Sequence, residues 1–137
     1  MRQYSTSIRI DAPPEAIWPI LTDAARLTPD FGILRIEGRI AQGGAIKLWS
    51  EVSPSRAFAL DVEVVEPPSR MIWSSGMPLG LFRGRRVFAT RGDGAGTVFD
   101  MTERYTGPLA PLMFRMIPDL GPSFEKFANA LKKEAER

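Results

Sequence analysis

Two charged residues stand on stretches that otherwise read as the inside of a sheet. In Thr97 to Tyr105, the residues Phe99, Met101, Glu103 and Tyr105 fall on one face, because successive strand side chains point to opposite sides. Phe99 and Met101 suit an interior, so Glu103 is expected to point inward with them. In Phe82 to Arg91, the residues Phe82, Gly84, Arg86 and Phe88 share a face in the same way. The two stretches flank the turn Gly92-Asp93-Gly94-Ala95-Gly96. Counting outward from residue 94 sets Arg86 opposite residue 102, within reach of Glu103. A carboxylate in an apolar pocket suits general acid–base work, and a guanidinium there suits gripping a carbonyl or anionic oxygen. The plain alternative is a closed ion pair that only holds the sheet, since an unpaired buried charge is costly. Both readings stand at this point.

Much other chemistry is excluded by composition. The 137 residues include no histidine and no cysteine. Ser-His-Asp and Cys-His nucleophiles, imidazole and thiolate metal sites and disulfides are therefore ruled out. No Asp/Glu spacing resembles a calcium loop, so neither a metal nor a cofactor is expected. The glycines at 92–96 come without a lysine and open a strand, whereas phosphate-binding loops open a helix. Arg83, Arg85 and Arg91 alternate to the face opposite Arg86 and read as a solvated strand face. No aromatic platform accompanies them, and 18 basic against 16 acidic residues leave a net charge of only +2. Nucleic acid is not an expected partner.

These residues need a scaffold, and the punctuation of the chain describes one. Tyr4 to Ile10 reads as a first strand. Pro13-Pro14-Glu15 then opens a short helix through Leu21, with Pro19 expected to kink or shorten it. Asp23 can cap a second short helix, Ala24 to Leu27, stopped by Pro29. From Gly32 the texture is β: Ile33 to Ile40, Ala45 to Val52, Ala57 to Val65 and Met71 to Ser74, then the two stretches above. Turns are expected at Gln42-Gly43-Gly44, Ser53-Pro54-Ser55 and Pro67-Pro68-Ser69. In the third of these strands Phe58, Leu60, Val62 and Val64 share one face. Residues 75–81 read as an irregular apolar loop. Leu109 to Ile117 is nearly all apolar, Pro118, Gly121 and Pro122 interrupt it, and Ser123 to Glu136 is an amphipathic helix. The whole chain, 1–137, is expected to form a single α+β domain whose C-terminal helix covers the apolar face of an antiparallel sheet. An imperfect cover leaves a cavity between helix and sheet.

This order resembles the START-like, birch-pollen-allergen-like (SRPBCC) superfamily, and most of all its small bacterial polyketide cyclase/dehydrase-like proteins. The resemblance rests on Ile10-Asp11-Ala12-Pro13-Pro14-Glu15-Ala16-Ile17-Trp18, Leu21-Thr22-Asp23, Glu37-Gly38, and Pro67 with Met71-Ile72-Trp73. It continues through Phe82, Arg86-Val87-Phe88, Gly96-Thr97, Glu103, Gly107, Phe124, Phe127, Leu131-Lys132 and Ala135-Glu136. It implies the helix-grip fold: a curved antiparallel sheet of six to seven strands wrapped around a long C-terminal helix, with two short helices after the first strand. It also implies a largely apolar cavity that binds hydrophobic small molecules, and in some members a cyclase or dehydratase activity. Where close relatives often carry histidine in the penultimate strand, this chain has Arg86, which counts against a His-dependent cyclisation.

The expected cavity walls are Phe58, Leu60, Met71, Trp73, Phe82, Phe88, Phe99 and Met101 from the strands. Met113, Phe114, Ile117, Phe124 and Phe127 are expected from the helical side, with Trp18 in the core. Met77, Leu79 and Leu81 either line the mouth or form a homodimer interface. Binding of a lipid- or polyketide-like molecule, with Arg86 and Glu103 as its polar handle, is the leading expectation, without catalysis. The alternatives are a cyclase/dehydratase with Glu103 as acid/base and Arg86 polarising a carbonyl, and an interaction module using loop 75–81. The polar start of the chain is unlike a signal peptide, and no segment approaches the ~20 apolar residues of a membrane span. A cytoplasmic protein without stable membrane insertion is expected.

Overall fold

Short connections dominate the β region, so strands adjacent in the chain pair. The computed structural model describes residues 3–28 and 30–137, and Val64 by its backbone alone. Strand β1 (Gln3–Ile10) is followed by helix α1 (Pro14–Leu21) and by strands β2 (Ile33–Gly38), β3 (Ala45–Ser50), β4 (Ser53–Glu66), β5 (Arg70–Gly76), β6 (Arg83–Asp93) and β7 (Gly96–Thr106). Helices α2 (Ala110–Met116) and α3 (Gly121–Ala135) close the chain. All pairings are antiparallel, in the seven-stranded order β1-β7-β6-β5-β4-β3-β2. This is the helix-grip arrangement.

Helix α1 begins with a proline and carries Glu15 in its first turn, where the helix dipole favours an acid. It passes through Pro19 and buries Ile17, Trp18, Ile20 and Leu21. The expected second short helix is absent. Residues 24–27 form one turn, in which Asp23 Oδ1 accepts from the Ala25 amide at 3.0 Å and the Asp23 carbonyl from Leu27 at 3.2 Å. Four residues make too few helical hydrogen bonds to offset the cost of nucleation. Pro29 lies outside the described residues.

Strand β4 departs twice from simple alternation. The turn before it is Glu51-Val52, not Ser53-Pro54-Ser55. Ser50 pairs with Ser53 and Trp49 with Ala57, so residues 54–56 bulge out without partners. Pro54, which has no amide proton to give, fits such a place. A second register shift falls between Val62 and Val64, and Val65 packs on the core beyond it. The placement of the Val64 side chain lies outside the described residues. Only Asp61 to Glu66 of β4 pair with β5. The stretch 57–60 is therefore held from one side, and it borders the opening described below.

Helix α3 packs chiefly along β1, with α1 behind it and β7 alongside. Thr6 Oγ1 donates to Glu125 at 2.7 Å, and buried Thr97 donates to the Ala12 carbonyl at 2.7 Å. Lys126 reaches across to Glu51 at 2.9 Å. The helix therefore covers one half of the inner face closely and spans the other. Arg83 and Arg85 lie on the outer face, as alternation requires, and share Glu63 at 3.1 and 3.3 Å. The Ser74 hydroxyl, and then these guanidiniums, hold the Glu63 carboxyl below its ordinary range.

Candidate functional site

A cavity of about 590 Å³ opens between helices α2 and α3 and the inner face of strands β2 to β7. Its position follows from rows of residues that cross the strands. One row runs Val65, Met71, Phe88, Met101 and Thr6, each opposite the next. Met71, Phe88 and Met101 in it are fully buried. Two residues further along, the next inward-facing row runs Val62, Trp73, Arg86, Glu103 and Tyr4. The cavity begins at this second row, whose Trp73, Arg86 and Glu103 line it.

Among the expected wall residues, Phe58, Leu60, Trp73, Met77, Phe82, Arg86, Glu103, Met113, Ile117, Phe124 and Phe127 line the cavity. Met71, Phe88, Phe99 and Met101 do not. They face inward as expected, but under the part of α3 where Phe127 packs on Phe88 and Phe99, with ring centroids 5.8 and 6.2 Å apart. No space remains there. Phe114 is also outside the lining: it stacks on Tyr4 at 5.4 Å and leans on Tyr105 at 5.6 Å. Phe31, Ile33 and Leu48, which no pattern in the sequence marks, also line the cavity. Their strands and loop are remote in sequence from α3, and only the curvature of the sheet brings them round to it.

The polar part of the wall is compact. Arg86 Nε donates to Glu103 Oε1 at 3.2 Å, and the two side chains are 21% and 17% exposed. The Tyr105 hydroxyl donates to the other carboxylate oxygen. The Arg86 guanidinium also lies 4.8 Å over the Phe124 ring, which joins the sheet to α3 by a cation–π contact. Tyr105 shares the inward face of Phe99, Met101 and Glu103. Alternation placed it there, but nothing in the sequence marked its hydroxyl as the partner of Glu103. At the rim, the exposed Arg56 lies over Phe58 at 5.5 Å. On the floor, the Trp73 indole nitrogen is buried without a hydrogen-bond partner. Among the described residues no group of three Asp or Glu stands ready to hold a metal.

Burial, and then the charge of Glu103, push the Tyr105 phenol well above its ordinary value of 10.0. It therefore serves as a hydrogen-bond donor and keeps its proton. Above pH 10 the unfolded chain releases this proton while the folded chain holds it, so stability falls as pH rises. The expected slope is about 1.4 kcal/mol per pH unit, absent in Tyr105→Phe. Denaturant unfolding across the alkaline range measures it. In a parallel absorbance titration, one of the two tyrosines should form phenolate only as the chain unfolds. Equal alkaline slopes in the two proteins would contradict this role for Tyr105.

Comparison with known proteins bears on the same architecture. In structure, the chain is similar to protein MLL2253 from Mesorhizobium loti, with TM-score 0.75 and 16% identity over 97% of this chain and 96% of that one. It is similar to Aha1 from Colwellia psychrerythraea, solved as a dimer, with TM-score 0.74 and 20% identity over 99% and 97%. It is also similar to the di-domain ARO/CYC BexL of the BE-7585A biosynthetic pathway, with TM-score 0.71 and 16% identity over 99% of this chain and 47% of BexL. At such identities the likeness carries the fold. No curated protein matches the sequence. The family model described as polyketide cyclase / dehydrase and lipid transport matches residues 1–136. With that match over nearly the whole chain, and a sheet gripping its C-terminal helix, the protein belongs to the polyketide cyclase / dehydrase and lipid transport family.

Proposed function

We propose that this chain binds a hydrophobic or aromatic small molecule, lipid- or polyketide-like, with Arg86, Glu103 and Tyr105 as the polar handle. The observation that carries the reading is an apolar cavity of about 590 Å³ with one compact polar cluster on its wall. That volume falls within the ~300–1,000 Å³ of small-molecule sites, which pair apolar walls with a few placed polar groups. Glu103 neutralises Arg86, so a ligand carbonyl or hydroxyl meets the remaining guanidinium N–H groups without bringing a charge of its own. The family description and the ARO/CYC name of BexL support a second reading, in which Glu103 and Arg86 act on a polyketide. Binding comes first because each Glu103 oxygen already accepts a hydrogen bond, and a substrate proton would have to displace one donor.

The test is a native mass spectrum of freshly purified protein beside a denatured one, followed by titration with an anilinonaphthalene dye. Extra mass lost on denaturation, or saturable dye uptake that Leu60→Trp abolishes, is the expected result, because the larger side chain fills the cavity. A bare chain mass together with dye uptake unaffected by Leu60→Trp would remove the reading.

A further inference from the structure

The structure leaves large apolar residues exposed in one place. Eight are exposed among the described residues, and all but Leu34 stand on three segments around the cavity mouth: Val52 and Phe58, Met77, Leu79 and Leu81, and Leu112 and Met116. Val52, Phe58, Met77 and Met116 line the opening itself. The turn Pro78–Gly80 abuts the start of α2, where the Leu109 amide donates to the Leu81 carbonyl at 2.9 Å. Gly107, at φ +101, lets the two backbones close: a Cβ there would lie 2.6 Å from the Leu81 oxygen. Tip and helix therefore form one protruding edge.

Leu79 is its extreme point. It is 96% exposed and sits at φ 62, in the left-handed region that disfavours a branched side chain. The fold gains nothing from a leucine there, since no core contact holds it. Leu112 and Met116, 55% and 71% exposed, lie one turn apart on α2, with Arg115 beside them. Residues 52–60, 75–83 and 104–118 contain Arg56, Arg83, Arg104 and Arg115; of the acids that flank them, Glu51 is paired with Lys126 and Glu103 with Arg86, and Asp61 and Asp119 are exposed. Arg83 is tied to Glu63, whereas Arg56 and Arg115 have no carboxylate partner among the described residues.

We propose that this edge docks on an anionic phospholipid surface. Leu79, Leu112 and Met116 enter the acyl boundary while Arg115 and Arg56 meet the phosphates, which turns the cavity mouth toward the membrane. A second copy of the chain suits the edge less well. A two-fold interface sets the same patch against itself, and here that would bring together the arginines that have no carboxylate partner among the described residues, Arg56 and Arg115. Isolated protruding apolar residues flanked by cations suit an anionic interface, where apolar burial and attraction to the headgroups add. No helix of the described residues is long and apolar enough to cross a membrane, so the contact is peripheral. The proposal goes beyond ligand binding and stands without it.

The experiment is co-sedimentation of the full chain with vesicles of phosphatidylcholine alone, and of phosphatidylcholine with one third phosphatidylglycerol, at low and at physiological salt. The expected result is binding to the anionic vesicles that weakens with salt. Leu79→Ser should lower affinity about tenfold, from the lost burial of one leucine. Arg115→Glu should lower it at least as much, since each basic residue near such a surface contributes about fivefold and the reversal counts twice. Both positions are exposed, and circular dichroism checks that the variants fold. Three results would overturn the proposal: wild-type protein left in the supernatant at low salt, folded Leu79→Ser that sediments like wild type, or a dimer in solution that Leu79→Ser dissolves. The last would assign the edge to a second copy.

Discussion

Phe127→Ala is expected to lower stability by about 3–5 kcal/mol, the cost of truncating a large buried ring. Phe127 is 2% exposed and sits where α3 meets both halves of the protein. Its ring meets Phe31 edge-on at 5.1 Å, Phe88 at 5.8 Å and Phe99 at 6.2 Å. It also lines the cavity. Neighbouring side chains cannot refill the space that truncation leaves, because that space joins an existing void instead of a packed wall. Urea unfolding measures the loss. Phe114→Ala is the comparison: that ring is only half-buried, and its removal should cost less than half as much. If the two variants lost equal stability, Phe127 would not be the joint between α3 and the sheet.

The second large effect is expected at the polar cluster. Glu103→Ala strands a mostly buried guanidinium and removes the acceptor of the Tyr105 hydroxyl, at a cost of about 2–4 kcal/mol. The double variant Arg86→Met with Glu103→Leu should recover most of that cost, because well-packed apolar residues often replace a buried ion pair without penalty. Arg35 and Glu37, an exposed pair, supply the contrast. Arg35→Ala should cost under ~1 kcal/mol, as exposed ion pairs do. Denaturant unfolding of the wild type and these three variants measures the differences. A double variant no more stable than Glu103→Ala would show that the cost lies in lost packing and not in the unpaired charge. Should the double variant be stable yet unable to bind, the pair would be serving the ligand at no benefit to the fold.

The opposition of Arg86 and Glu103 could be read from the chain because it depends on local rules. Two strands joined by a tight turn have a register fixed by the turn centre. That centre lies between Gly94 and Ala95, half a residue beyond Gly94, so Arg86 stands opposite Glu103 and not residue 102. Inward orientation was equally legible, since Phe99, Met101, Glu103 and Tyr105 alternate without a break. The loop with Met77, Leu79 and Leu81 stood out because apolar residues are unusual on an irregular segment, and the structure sets it beside the mouth. The β4 irregularity at residues 54–56 was not legible. Ser-Pro-Ser is a good turn signal, and only the pairing of Ser50 with Ser53 shows the chain turning earlier.

The sequence by itself determined the order of the strands and of the longer helices, which faces of β6 and β7 turn inward, and the absence of histidine and cysteine chemistry. Each of these depends on alternation, on turn residues or on residue type, all of which act within a few positions. Where the inner face is filled and where it is hollow was decided by tertiary structure alone. Met71, Phe88 and Met101 look no different in sequence from Leu60, Trp73 and Phe82, yet the first three are sealed and the others line the cavity. The difference depends on the line α3 takes across the sheet, set by Phe127 against Phe31, Phe88 and Phe99 and by Lys126 reaching Glu51. Those contacts join residues far apart in the chain. A cavity is the space that such contacts leave over, and it has no residues of its own to mark it.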